Sequence, residues 1–353
     1  MFGWVLSDPR ATVLYMTSES RPAANTWLPH FALLALMWGS SFLFIKVAVV
    51  ELHPLYVALF RVALGAITLL IIVKAMGDRL PRDLALWRHL AIVALIGNVI
   101  PFTLFAYGEQ QVSSGLAGIW NATTPLTMVP VMLLFFRSER LTKAKVAGLL
   151  IGFAGVMVVL GVWAGVGGGT LAGHLMCFAA ATSYAFTAPY MRQHVAGRQE
   201  SGVVLAAGQI TMATIELSII APLGAGLPAN PFSLSWQTVA SIAALGILGT
   251  GLAFVLNYRV IRIVGAGTMV MVTYLMPIVA VTMGVLVLDE RLTWYQPVGA
   301  LIVLLGVAVA QGVPGRLLTR LRSRQSHLEE RPPNNSPSTD PAADDARKQA
   351  VSL

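Results

Sequence analysis

The sequence predicts an all-α membrane protein of ten transmembrane helices, arranged as two inverted five-helix repeats. Three observations predict it. The 353-residue chain is 56% hydrophobic and only 11% charged, where a soluble domain carries roughly 25% charge. Apolar runs of about 20 residues, each long enough to span a bilayer as a helix, recur along its length. Finally, the stretch from Ser114 to Gly161 occurs twice, and Lys and Arg gather in alternate loops.

The repeat is read from spacing. In the first copy Pro125 precedes Glu139-Arg140-Leu141-Thr142, then Gly148, Gly155 and Gly161; in the second Pro277 precedes Glu290-Arg291-Leu292-Thr293, then Gly299, Gly306 and Gly312. The Glu-Arg blocks and glycines are displaced by 151 positions (290 − 139, 299 − 148, 306 − 155, 312 − 161), whereas the prolines differ by 152 (277 − 125). One residue has therefore been gained or lost between proline and turn. So long a period joins two equal hydrophobic halves and excludes a solenoid.

Residues 1–29 are expected to form an N-terminal cytoplasmic tail, because Phe2–Leu6 is too short for a signal-peptide core and no basic residue precedes it; Met16 is an alternative start. The first repeat, 30–165, places spans at about 31–50, 54–73, 90–107, 112–136 and 146–163. Gly165–Thr170 reads as a flexible joint; it lacks the Gly-Lys-Ser/Thr of a phosphate loop. The second repeat, 166–314, places spans at about 171–190, 202–223, 238–258, 265–288 and 297–313. Residues 315–353 are polar and rich in Pro, Ser and Asp, and are expected to be a disordered cytoplasmic tail.

An odd number of helices per half turns the second half upside down. Basic residues, which stay on the cytoplasmic side, test that. With the N-terminus inside, the inner loops carry Lys74, Arg79, Arg82 and Arg88, then Arg137, Arg140, Lys143 and Lys145, then Arg192 and Arg198, then Arg259 and Arg262; Arg291 alone falls outside. Between the copies the charges change sides: Lys143 and Lys145 become Trp294 and Gln296, while Gly108 and Gln111 become Arg259 and Arg262. The expectation is a multi-pass protein of the inner (cytoplasmic) membrane with both termini cytoplasmic. A net charge of +8 sorted into loops in this way argues against nucleic acid as a partner.

Other classes are disfavoured by what the chain lacks. One cysteine, Cys177, excludes an internal disulfide, and the six scattered histidines form no metal-ligand spacing, so no metal or cofactor is expected. No Gly-x-Ser-x-Gly, His-Glu-x-x-His or Walker pattern is present, which disfavours an enzyme or an ATP-driven pump.

Trp38-Gly39-Ser40-Ser41-Phe42 with Lys46, then Pro54 with Phe60-Arg61, and the two proline/Glu-Arg-Leu-Thr blocks resemble EamA-type members of the drug/metabolite transporter superfamily across about Phe31–Val313. The resemblance implies ten helices around a central cavity and movement of small metabolites, often export. Inverted repeats point the same way, since secondary transporters place the solute at the repeat interface. The expected function is a secondary transporter exporting an amino-acid-like or drug-like solute. The alternative is a membrane receptor or scaffold that transports nothing.

Charges inside spans are expensive and mark candidate sites. Lys46, Arg61 and Glu216 are the three that interrupt the expected spans, all in their outer halves. Lys46 either snorkels or binds solute; Arg61 either pairs structurally with Glu216 or clamps a solute acid group. Glu216, the sole acid within an expected span, is the candidate proton carrier. Asn98, Asn121 and Gln209 are candidate lining groups with Trp38, Trp120 and Tyr184 as aromatic walls, although amides also cross-link helices. His174 can join the charged layer. The partners expected are a small-molecule substrate and the lipid bilayer. The glycine stripes (Gly148, Gly152, Gly155; Gly299, Gly306) read as helix packing, with a homodimer contact as their other use.

Overall fold

The computed structural model describes residues 24–136, 142–163, 167–195, 198–228, 230–264 and 272–310. The two tails and the Glu139-Arg140-Leu141 turn lie outside these residues. Among those described, regular structure is helical apart from one isolated bridge between Val112 and Gly169. In chain order the helical stretches are α1 (Trp27–Ala48), α2 (Pro54–Ala75), α3 (Leu84–Glu109), α4 (Ser114–Phe136) and α5 (Lys143–Leu160). They continue with α6 (Leu171–His194), α7 (Gly202–Ala225), α8 (Trp236–Ile263), α9 (Val272–Leu288) and α10 (Tyr295–Ala310). Among the described residues seven, α1–α5, α7 and α8, are long and apolar enough to cross a membrane, and α9 and α10 are shorter apolar helices.

The starts are set by polar caps. Asp83, Ser113, Thr142, Thr170, Ser201 and Ser235 each accept from a backbone N–H of the first turn of α3 to α8 respectively, meeting donors that have no partner inside the helix. Thr142 thus explains why the Glu-Arg-Leu-Thr block precedes a helix. The third span differs from expectation at both ends, beginning at Leu84 and continuing to Glu109. Its late finish places an acid inside the bundle.

Several helices change pitch on the way. α3, α4 and α8 pass through the wider π form at Leu95–Val99, Met132–Phe136 and Ala244–Leu252, a form that recurs at functional sites. Pro125 stands in the first turn of the segment that follows a break, where the missing N–H costs little, and Pro101 comes just after the π segment of α3. Pro277 instead lies within a continuous helical segment.

Small residues allow the closest approaches. A side chain on Gly155 would meet the backbone N of Val303 at 2.6 Å, and one on Gly299 would meet that of Val159 at 2.5 Å. The stripes of α5 and α10 are therefore packed on each other within one chain. Gly306→Leu should lower the unfolding midpoint in detergent, costing at least about 1–3 kcal/mol through overpacking. Leu305→Ala, at a position 55% exposed, is the control that should change little. Equal midpoints for both variants would refute the packing role.

Side chains such as Ile71, Phe135, Leu150, Ile219 and Leu286 are exposed around the bundle. In water so large an apolar surface would aggregate; in a bilayer it meets acyl chains. The loops sort into two rims. One rim joins Glu51 to Ser235, Tyr56 to Gly226 and Gln111 to Thr170. The opposite rim joins Asp83 to Arg198 at 2.7 Å and Asp78 to Ser201 at 3.0 Å.

Candidate functional site

Arg61 occupies the middle of a wall built by α2, α3 and α8. It is 7% exposed. Its Nε donates to Thr250 Oγ1 at 3.1 Å, and its guanidinium carbon lies 3.7 Å from the centre of the Phe102 ring. Thr250 belongs to the π segment of α8 and donates in turn to Leu245 O at 2.9 Å. Gly65, one turn along from Arg61, lets α8 come close: a side chain there would meet Thr250 Cβ at 2.9 Å. Phe60, Phe102 and Tyr184 pack around the same apolar cluster. A cation on an aromatic face is stabilised by the ring quadrupole, but the ring leaves the planar fork free for an anion. Among the described residues no carboxylate lies within ion-pair distance of Arg61.

A second charged group sits at the rim. Lys46 does not snorkel: its Nζ donates to the backbone carbonyls of Glu109 at 2.5 Å and Val112 at 2.8 Å. These carbonyls close the C-terminal end of α3, where a cation is favoured by the helix dipole. Glu109 itself is fully buried, and neither carboxylate oxygen has a hydrogen-bond partner. Opposite, Glu290 accepts from Ser114 N at 2.7 Å and Gly115 N at 3.0 Å. It thus caps α4 from a turn 176 positions away. Asp289 makes that reach possible with a left-handed φ of 52°. Lys46, Val50, Glu51, Thr238, Leu288 and Glu290 are among the residues lining a cavity of about 380 Å³ at this rim.

The remaining sequence candidates are placed as follows. Asn98 and Gln209 are buried and bond to each other, Gln209 Nε2 donating to Asn98 Oδ1 at 2.6 Å, which cross-links α3 and α7. Asn121 Nδ2 approaches Met276 Sδ at 3.8 Å, bringing α4 to α9. Trp38 packs at the edge of the cluster around Phe105 and Trp120, and Tyr184 lies 6.2 Å from Phe105, ring centre to ring centre. His174 accepts from the Trp120 indole at 2.9 Å and is therefore turned away from the charged groups. Glu216 stands apart on α7 beside the exposed Ile215 and Ile219, with Oε2 unpartnered. Arg61 and Glu216 are not paired.

At the rims, outside the helices, two carboxylates are held below the usual carboxylate range. Glu51 accepts first from the backbone N–H of Ser235, and Asp83 from that of Ala85 and then from Arg198. Both rim contacts therefore persist at neutral pH and weaken only as pH falls through those lowered values.

A family model of the EamA-like transporter family matches the chain twice, at residues 25–161 and 171–311. The chain belongs to the EamA-like transporter family. The uncharacterized transporter YoaV of Bacillus subtilis (strain 168) is 24% identical over 275 residues, 78% of this chain and 92% of that protein. An uncharacterized transporter of Archaeoglobus fulgidus is 28% identical over 284 residues, 79% of this chain and 96% of that protein. The uncharacterized inner membrane transporter YedA of Escherichia coli (strain K12) is 30% identical over 268 residues, 73% of this chain and 82% of that protein. A solved crystal structure shares the fold with a TM-score of 0.57 at 22% identity, covering 84% of this chain and 99% of that one.

For an EamA-like transporter, a multi-pass membrane protein, the two charged groups have different capacities. Arg61 offers two-pronged recognition of a carboxylate or phosphate among aromatic walls. The Lys46–Glu109–Glu290 group ties the rim together and keeps one buried acid without a partner. Sequence reasoning found Lys46 and Arg61 but missed Glu109, because Glu109-Gln110-Gln111 reads as loop.

Proposed function

We propose that this EamA-like transporter is a secondary transporter that exports a small organic metabolite, amino-acid-like or drug-like, across the cytoplasmic membrane. One observation carries the reading: a buried arginine that lies on an aromatic ring and meets no carboxylate among the described residues. An unpaired intramembrane cation is costly and retained for a task. Arg61 holds the solute's acid group, with Tyr184, Trp38, Asn121 and the Asn98–Gln209 pair as surrounding walls and Lys46 at the approach. Arg61 lines neither the rim cavity nor the apolar groove that contains Trp120, Phe153 and Phe178. Alternating access, with helices moving around a central site, brings a solute to it in this reading.

The arrangement proposed is ten spanning helices in two inverted repeats (30–165 and 166–314), both termini cytoplasmic. The alternating basic loops support it, as does the inner-membrane name of the Escherichia coli relative. With Cys177 replaced by Ser, Leu227→Cys should react with an impermeant thiol reagent added outside. Leu84→Cys should react only after the membrane is opened. Labelling of both from one side would overturn the topology.

Function is tested by untargeted metabolite profiling of cells with and without the gene, inside and outside. Gene-dependent depletion inside with accumulation outside is the expected result. No solute change, together with stable capture of a protein partner, would favour a receptor or scaffold. Glu216, on α7 with Oε2 unpartnered, is the acid within an expected span that can carry a proton in such a cycle.

A further inference from the structure

Building on the transporter reading, we propose that Glu109 is the proton-binding site of the transport cycle and that Lys46 is the latch it operates. Glu109 is fully buried at the end of α3, and both oxygens lack a partner. A carboxyl in a dry interior with no hydrogen bond persists only with a proton on it or a cation beside it. Two cations lie close by, Lys46 and Arg61, and both are engaged elsewhere. Lys46 Nζ is held by the carbonyls of Glu109 and Val112 and makes no ion pair with a described carboxylate.

One residue therefore offers Lys46 two acceptors, its backbone carbonyl and its side chain. While the carboxyl keeps its proton, the carbonyls hold Lys46 and tie α1 to the last turn of α3. Once the proton leaves, the carboxylate becomes the stronger acceptor, because a charge-assisted bond exceeds one to a neutral carbonyl. Lys46 then leaves Val112 and the tie between the helices loosens. The proton passes to water in the rim cavity that Lys46 and Glu290 line; nothing else is transferred.

The charged and titratable groups on the neighbouring elements fit this exchange. Arg61 on α2 is fixed by Thr250 and Phe102. On α6, Cys177 is buried, Tyr184 packs on Phe105, and His174 is turned to Trp120. Glu290, after α9, is held by the N–H groups that start α4. Its negative charge opposes a second carboxylate nearby unless Lys46 moves between them.

The test has two arms. Purified protein is treated with dicyclohexylcarbodiimide, an apolar reagent whose C=N bond adds a protonated carboxyl, the adduct rearranging to a stable N-acylurea mapped by mass spectrometry. Glu216, beside lipid-facing residues, is the internal comparison. In cells, the metabolite signals that depend on the gene are followed with and without a protonophore in wild type, Glu109→Gln and Glu109→Asp. Gln mimics the protonated acid and leaves the backbone carbonyl that binds Lys46 in place. The expected result is an adduct on Glu109 in acid that disappears in alkaline buffer, loss of the protonophore response in Glu109→Gln, and its return in Glu109→Asp. An adduct on Glu216 alone, or an unchanged protonophore response in Glu109→Gln, overturns the proposal. Absence of any gene-dependent signal defeats the transporter reading instead, and the adduct arm still decides whether Glu109 holds a proton.

Discussion

Glu290→Ala should destabilise the protein by about 3 kcal/mol, read as a lower unfolding midpoint in detergent and lower abundance in the membrane. The reason is local. Glu290 supplies charge-assisted bonds to Ser114 N and Gly115 N, two donors at the start of α4 that the helix itself cannot satisfy. Alanine leaves both unpaired beside apolar neighbours. The remaining cap, Ser113 Oγ accepting from Leu116 N at 3.3 Å, keeps the helix start but not its link to the second half. Glu290→Gln should fall between, retaining an acceptor oxygen but no charge. Gly284→Ala should reproduce much of the loss, because an added methyl would crowd Ser114 Oγ at 2.8 Å and the Glu290 carboxyl. A Glu290→Ala protein with wild-type stability would show that the clasp contributes nothing.

This clasp shows where the sequence was legible and where it was not. Helix existence follows from length and hydropathy, and starts follow from Ser, Thr and Asp caps; both are local signals. In the sequence Glu290 stands in the turn ahead of α10, but the helix start it caps is that of α4. No local signal names a partner 176 positions away. Arg61 stood out as a charge within an apolar run, whereas Thr250, 189 positions away, did not. Glu109 was hidden for a different reason. Hydropathy falls at Glu109-Gln110-Gln111, but α3 reaches Glu109 because Lys46 binds the carbonyls of Glu109 and of Val112 just beyond it and because Gly108 admits Cys177 and the backbone of Gly173. A cation arriving from another helix extends this one, and hydropathy along α3 alone contains no record of it. The amides illustrate the converse: Asn98 and Gln209 were visible as polar residues, but only the structure brings them to each other.

Arg61→Met should leave abundance near wild type and reduce solute movement by at least about tenfold, the loss of one charged hydrogen bond in this setting. Stability should change little for three reasons. Thr250 keeps its bond to Leu245 O, the methionine thioether can pack on Phe102, and no carboxylate is left without its partner. The last point separates the two roles open to this arginine. A structural pair with Glu216 would make Arg61→Met unstable and let Arg61→Met, Glu216→Met recover; with the two side chains unpaired, the double variant should show no recovery over the single one. Arg61→Lys should restore little transport, since a lysine keeps the charge but loses the planar fork and its stacking on the ring. Abundance by immunoblot, and the gene-dependent metabolite signals measured on the same cells, distinguish these outcomes. Full transport by a well-expressed Arg61→Met protein would remove Arg61 from the solute pathway and leave the rim group of Lys46, Glu109 and Glu290, with Glu216, as charged candidates.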